Sequence, residues 1–427
     1  MKICVISDEH FPHKGADTEV IINTAAALGA AGAEVHLLTP HLWWKNPTAD
    51  EVRAYYGVCD SFTHHRVFNP FPPERVARSQ QLAHGLSCLT SPHFWDADVV
   101  HTRDHAPLAL AHLARRPWCY ETYRRHAAEK PRLASWLRRV DLARGVGVVC
   151  HTERSRLDAE SLGFAPEATL TARAGFNLEN YTRPAPLPES RAPELLSPPL
   201  APDAPPELHE RRARERVRAS LRIPLDAPVV GYTGNISAGK GVEACVEAIR
   251  GLPEAHLLVV GGGPDEVARF ERLLDGEVRE RVRLVGHVPS ALVPHYMAAC
   301  DVLMIPPFAQ NKRGALLDAL LPPILPGTPL KIYGYWAARR LCVAADQPHN
   351  TELLKHMSNA LIYDHARPEA AAEALRWALA EPARFAPVVA RAYEEVQGFT
   401  YARRAERMLA FYERRLAALS SRLPPKT

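Results

Sequence analysis

Nowhere in this 427-residue sequence does a C-x-x-C pair occur: the eight cysteines (Cys4, Cys59, Cys88, Cys119, Cys150, Cys245, Cys300, Cys342) are scattered along the chain. That scatter excludes zinc ribbons and a disulfide framework, and a reducing, cytoplasmic setting fits best. Apolar runs of about 20 residues, the length that spans a bilayer, are also missing. Met1-Lys2 passes straight into Ile3-Cys4-Val5-Ile6-Ser7 without a cleavage site, so a first strand is expected there, not a signal peptide, and a soluble protein. Charge of one sign is scarce too: 52 basic against 48 acidic residues leaves +4, too little for a dedicated nucleic-acid binder. Arg outnumbers Lys 43 to 9, which leaves open peripheral docking of an Arg-rich face at the inner side of a membrane.

What is present is 47% apolar and 23% charged, enough for a core in each of two or three domains. Short apolar runs alternate with helical patterns from the start. Candidate strands are 3–7, 34–39, 64–68, 98–101, 118–121, 145–150 and 170–172. After the first, Ile21, Ala25 and Leu28 recur at i, i+4 and i+7, and Gly32 stands where a helix end takes a left-handed residue. Nine prolines between Pro184 and Pro206 then interrupt the alternation, because each removes a donor and fixes φ. A charged, helix-prone piece covers 207–221, and strands resume at 229–233, 256–260, 282–285, 302–305, 341–345 and 361–363. Two such blocks predict two doubly wound parallel sheets. The predicted domains are 1–183, with a helix at 400–423 returning to it; a linker and charged helix at 184–224; and 225–398. Tyr401, Ala405, Met408, Tyr412, Leu416 and Leu419 give that last helix an apolar face.

Open parallel sheets bind ligands beyond the carboxyl ends of their strands, so the strand-to-helix turns hold the candidate sites. Ser7 to Ala16 includes His13, Gly15 and Ala16 before the first helix, a place where an anion could meet a helix N-terminus or where a tight acidic turn simply lies in solvent. Gly231 to Gly241 is the stronger signal: glycines allow close backbone approach, and Lys240 supplies a full positive charge to a diphosphate. It is not a P-loop, since no Ser or Thr follows the lysine. Gly261-Gly262-Gly263-Pro264 reads as a turn. Pro329 and Leu330 open a helix with Lys331 just inside it, while Tyr333, Tyr335 and Trp336 suit either a site or a core. Asp96-Ala97-Asp98 imitates a manganese motif but lies at the amino end of its strand, the wrong end for ligands. Scattered His and Cys offer no ligand spacing, so no metal is expected.

Together these segments resemble the retaining glycosyltransferases of family 4, which have GT-B architecture: two facing Rossmann-like α/β domains and a C-terminal helix crossing back to the first. The first strand and its glycine loop, Thr171-Ala172-Arg173-Ala174-Gly175-Phe176-Asn177-Leu178, Gly234 to Gly241, Arg283-Leu284-Val285-Gly286-His287-Val288-Pro289, Tyr296 to Pro306, and Thr328 to Ala338 occur in the family's order. The resemblance implies a nucleoside diphosphate sugar as donor, UDP first and GDP second, an unidentified acceptor taken by the first domain, and no cofactor. It places Gly234, Asn235 and Lys240 at the diphosphate loop, Gly286, His287 and Val288 at the base-binding turn, and Pro329, Leu330 and Lys331 at the donor-phosphate helix. Four family positions are altered. Asn235 stands for an Arg; Gly334 and Pro326 stand for the paired Glu that hold ribose; Tyr123 stands for the active-site His, with His126 one turn on and His101 and His105 on a neighbouring strand end. Tyr123, His126 and Lys240 are therefore the expected catalytic groups, and a degenerate protein that binds nucleotide sugar without turnover is the alternative.

Overall fold

The computed structural model describes every residue except 14, 42–46, 70–76, 125–130, 138–144, 183–204, 309–328 and 422–427. The chain divides into two units, Met1–Gly175 with Phe399–Thr427, and Phe176–Gly398.

Unit 1 is built on seven strands: β1 (Lys2–Ile6), β2 (Glu34–Pro40), β3 (Thr63–Val67), β4 (Val99–Thr102), β5 (Trp118–Thr122), β6 (Gly145–Cys150) and β7 (Thr169–Thr171). They form one sheet in the order β3-β2-β1-β4-β5-β6-β7, every pair parallel. Side chains alternate across a strand, so Ile3 and Val5 of β1 join one core and Cys4 and Ile6 the other. Both faces are covered, which is why inner strands such as β1 and β6 read as apolar runs, while the edge strand β3 is polar. In β6 the alternation shifts at Gly147, where φ is +150° and the pairing with β5 slips by one residue. A Cβ on Gly147 would lie 2.2 Å from the Ala168 carbonyl oxygen, so the bulge depends on glycine.

The helix Ala16–Ala30 buries Ile21, Ala25 and Leu28 against this sheet, and Gly32 follows it at φ +96°. The final helix, Tyr401–Ser420, packs beside it in unit 1 and buries Tyr401, Ala405, Met408, Phe411 and Tyr412. Full burial of a large apolar side chain contributes about 1.5–3 kcal/mol, ample to hold a single returning helix. Asp96 and Asp98 lie at the amino end of β4, where Lys2 binds both: Nζ to Asp96 Oδ2 at 3.1 Å and the backbone N to Asp98 Oδ2 at 2.8 Å.

Unit 2 holds β8 (Val229–Thr233), β9 (His256–Val260), β10 (Val282–Gly286), β11 (Val302–Ile305), β12 (Leu341–Ala345) and β13 (Leu361–Tyr363), ordered β10-β9-β8-β11-β12-β13 and again parallel. The helix Pro206–Ser220, grouped with the linker on composition, belongs to this unit. Arg218 explains why. Fully buried, it donates to the carbonyls of Ala299, Pro224, Leu225 and Ala227 and pairs with Asp301 Oδ2 at 2.9 Å. These bonds tie the helix to the segments that lead into β8 and β11, an anchor that a count of charged residues cannot distinguish from a solvated face. In each sheet the strand order reverses once, beside β1 and β4 in unit 1 and beside β8 and β11 in unit 2, and the turns after those strands are the crevices of the two folds. No helix among the described residues is long and apolar enough to cross a membrane.

Candidate functional site

In unit 2 the glycines do steric work. Gly234 leaves β8 at φ +124°, and its N–H donates to the Val260 carbonyl at 2.8 Å, locking the turn to β9. Gly261 sits against it: a Cβ there would lie 2.0 Å from the Gly234 carbonyl oxygen, and one on Gly262 would lie 2.5 Å from Ile236. The Gly261–Gly263 run is thus a packing device that lets two turns touch, and the Gly261 N–H donates to Gly286 O at 2.8 Å, drawing in the third. Three strand ends, after β8, β9 and β10, converge on one backbone surface. Gly241, at φ +71°, begins the helix Val242–Arg250, and no side chain fits there because the Pro307 carbonyl would be 1.9 Å from its Cβ.

Two lysines address this surface. Lys331 opens the helix Lys331–Ala337, with Pro329 and Leu330 just before it, and its Nζ lies 3.7 Å from the centroid of the Tyr232 ring. The same Nζ is 3.2 Å from where a Gly234 Cβ would be. Burial pushes the Lys331 ammonium down to about 7, with Lys240 adding repulsion. Lys240 is exposed at the loop tip, its Nζ 5.1 Å from the Phe308 ring. Among the described residues neither lysine forms an ion pair with a carboxylate; both rest on aromatic faces. A buried cation held this way has charge to offer an anion.

Asn235 spends its side chain on the loop: Oδ1 accepts from Ser237 N at 2.6 Å, while its carbonyl accepts from the Tyr232 hydroxyl at 2.7 Å. It shapes the turn and brings no second charge. Tyr333, Tyr335 and Trp336 are core residues. The Tyr335 hydroxyl accepts from Thr233 N at 3.0 Å, bracing the end of β8. Gly286 has φ +75°, His287 is exposed and Val288 is buried. Arg283 points elsewhere, to the carbonyls of Leu221 and Glu280. At Gly334 a side chain would have to displace Tyr181, whose hydroxyl would lie 2.6 Å from a Cβ. Pro326 lies outside the described residues.

In unit 1 the turn after β1 carries acidic charge. The Gly15 N–H donates to His13 Nδ1 at 3.1 Å, and the His13 backbone exchanges hydrogen bonds with the Tyr56 hydroxyl at 2.9 and 2.8 Å. The first helical turn, from Ala16, carries Asp17 and Glu19, and Asp104 Oδ2 accepts from Asp8 N at 2.8 Å. Burial, reinforced by Asp8 and Asp17, raises the Glu9 carboxyl to about 7. An anion here would meet like charge, so the phosphate-cradle reading of His13, Gly15 and Ala16 gains no support from the electrostatics. Tyr123 lies at the end of β5 beneath the Arg103 and Arg124 guanidinium groups, 5.4 and 5.1 Å from its ring centroid. His126 lies outside the described residues. His105 Nε2 meets the Tyr120 hydroxyl at 3.2 Å.

Sequence reasoning overlooked the charge network beneath Tyr123. Glu121, only 2% exposed, takes His101 Nε2 at 2.9 Å, His151 Nε2 at 2.6 Å and Arg404 at 2.9 Å. Burial alone would raise its carboxyl, but Arg404 and His151 outweigh that and hold it well below the usual range. Tyr412 meets the other nitrogen of His101 at 2.8 Å. The signals were a glutamate ending an apolar strand and an arginine on the apolar face of the last helix.

Comparison with known proteins bears on both units. Residues 227–381, just over a third of the chain, match the family model described as Glycosyl transferases group 1. Superposition on solved structures covers almost all of it. A sucrose-phosphate synthase from Thermosynechococcus elongatus aligns with a TM-score of 0.69 at 19% identity, covering 97% of this chain and 99% of the other. Anabaena HepE, solved with UDP-glucose, aligns at 0.63 and 17%, covering 99% and 100%. The fold is that of the GT-B glycosyltransferases. Among curated sequences, the GT-B chain is 30% identical over 147 residues to 2-deoxystreptamine glucosyltransferase of Streptomyces kanamyceticus, 33% of this chain and 35% of that protein. It is 29% identical over 213 residues to D-inositol 3-phosphate glycosyltransferase of Xylanimonas cellulosilytica, 49% and 47%. The matched stretch thus spans between a third and a half of these relatives.

Proposed function

We propose that this chain is a glycosyltransferase that takes a sugar from a nucleoside diphosphate sugar, UDP first among nucleotides, and passes it to an acceptor with retention of configuration. The observation that carries the donor half is Lys331: a half-buried lysine without a carboxylate partner among the described residues, poised at the Gly234 turn where three strand ends meet. In the reaction the bond from the anomeric carbon to the diphosphate breaks, one to an acceptor hydroxyl oxygen forms, and the hydroxyl proton passes to the departing diphosphate or to solvent. Charge grows on the departing diphosphate, and pre-placed cations and amides act there. Lys240 and Lys331 supply the charge, Gly234 and Asn235 the loop, and Gly286, His287 and Val288 the turn for the base. Pro329 and Leu330 set the start of the Lys331 helix. Nucleotide complexes of the structural neighbours support this reading. The acceptor is assigned to unit 1, at His13, Gly15, Ala16, Tyr123 and His126, with the resemblance as its support; retention rests on the same ground, and no cofactor or metal is required for the transfer.

One observation favours the non-catalytic alternative. Gly334 stands where the resemblance puts a ribose-binding Glu, and the Tyr181 hydroxyl lies against it, 2.6 Å from where a Cβ would be. Release of free UDP from UDP-glucose or another UDP-sugar that depends on an added acceptor would exclude it. Tight UDP binding with no release over a broad panel of sugars and acceptors would favour it.

Two further outcomes follow. Gly261→Ala drives a methyl group into the Gly234 carbonyl, and we expect UDP affinity to fall at least about tenfold, or 1.4 kcal/mol, with little change in far-UV circular dichroism. Unchanged affinity would separate the Gly234 turn from the donor site. The second concerns pH. With the Lys331 amine near 7, most of it is neutral at pH 8 in the free protein, and a bound diphosphate favours the charged form. UDP binding should therefore take up a proton above pH 7, and affinity should fall as pH rises past 7. Calorimetry at pH 8 in buffers of different ionisation enthalpy reads that uptake, and Lys331→Met should abolish it.

A further inference from the structure

Three histidines far apart in sequence come together on unit 1, away from the strand-end turns. His36 lies on β2, His65 on the edge strand β3, and His93 in the short helix Pro92–Asp96 that precedes β4. The register places Leu38 opposite His65, so His36 and His65 are diagonal neighbours on one face. His36 Nδ1 and His65 Nε2 are 3.0 Å apart. The His93 ring stacks on both, with centroids 3.8 Å from His36 and 4.2 Å from His65. One ring nitrogen of each residue lies within 4.8 Å of the other two, and all three residues are half-buried. The remaining nitrogen of His36 faces Glu34 Oε1 at 3.1 Å.

We propose that His36, His65 and His93 bind a divalent transition-metal ion, zinc in the first instance, which clips the edge strand β3 to β2 and to the helix before β4. Neutral imidazole is the commonest protein ligand for zinc, and three of them with water in the fourth position complete a tetrahedron. Zinc–nitrogen bonds of about 2.0–2.1 Å set tetrahedral donors roughly 3.3 Å apart, so the trio needs to close by an ångström or so, and the stacked His93 ring has to turn until the in-plane lone pairs of all three converge on the ion. The ion would take the place of the proton now shared between His36 and His65. Glu34 already stands as the outer carboxylate that fixes the ring orientation of a metal-bound histidine. This reverses the expectation of no metal. That expectation came from spacing along the chain, and ligands 29 and 28 residues apart (36, 65, 93) are joined only by the sheet. A second trio, Asp346, Asp364 and His365, is exposed and offers mostly carboxylates; it serves as a control.

The test uses the tag-free full chain, stripped with chelator and titrated with cobalt(II) as a visible probe, then with zinc. We expect saturation at one equivalent with ligand-field bands of a tetrahedral site, displacement of cobalt by zinc, and a zinc-dependent rise of several degrees in melting temperature. His93→Ala and His65→Gln should each weaken cobalt binding at least tenfold, and His365→Ala should leave it unchanged. Circular dichroism establishes that each variant folds; the zinc-dependent melting of the unaltered chain needs no variant. Absence of saturable bands and of a melting shift in the unaltered chain overturns the proposal. So does binding that survives both His93→Ala and His65→Gln, or that is lost in His365→Ala.

Discussion

Lys331→Met should cost the protein most of its affinity for UDP, by about a hundredfold in a calorimetric titration. The substitution keeps length and apolar bulk against Tyr232, so the helix Lys331–Ala337 should survive it. What it removes is a cation in a half-buried place, where its contact with a phosphate is stronger than in water, and charge-assisted contacts of this kind are worth about 1.5–3 kcal/mol. Lys240→Ala, at an exposed tip, should weaken binding by about tenfold, since solvent screens that charge. A comparison of the two at low and high salt separates them: Lys240 should lose its contribution as salt rises, and Lys331 should keep most of its own. Equal losses in both variants would mean that Lys331 is reached through solvent and that its burial carries no functional weight.

Glu121→Gln should strongly destabilise unit 1. The carboxylate sits between Arg404, His101 and His151 with almost no access to solvent. Its loss leaves the Arg404 guanidinium buried and uncompensated on the last helix, and breaking such a pair from one side costs about 3–5 kcal/mol. Differential scanning calorimetry should show the transition that contains unit 1 moving down by several degrees. The double variant Glu121→Gln with Arg404→Met should recover part of the loss, because the stranded charge is then gone too. A Glu121→Gln protein that melts like the unaltered chain would show that the network is solvated and contributes little.

Fold and site were legible to different depths. Every strand from β1 to β13 was readable within a residue or two, the inner ones because both faces are covered and they are apolar runs such as Val229–Thr233 and Leu341–Ala345, the polar edge strand Thr63–Val67 by its place in the alternation. The Gly234 turn and Lys240 were readable for the same reason: a strand end followed by glycine is a local pattern. What composition hid was the work of charges in the core. Arg218, Arg404 and Glu121 are buried ions, and a single sequence shows them as ordinary surface residues. The stacked histidines at 36, 65 and 93 were hidden by topology, since only the order β3-β2-β1-β4 makes them neighbours. Gly334 was visible as a departure, yet the hydroxyl that lies against it, that of Tyr181, belongs to a helix some 150 residues earlier.

The measurement that bears most directly on the account is calorimetric titration of the unaltered chain and of Lys240→Ala with UDP, GDP and ADP. The account predicts saturable binding of one nucleotide, UDP before the others, with one site per chain and a weaker isotherm in the variant. Absence of binding by all three, or binding that Lys240→Ala leaves untouched, would contradict the assignment of the Gly234–Gly241 turn as the donor site.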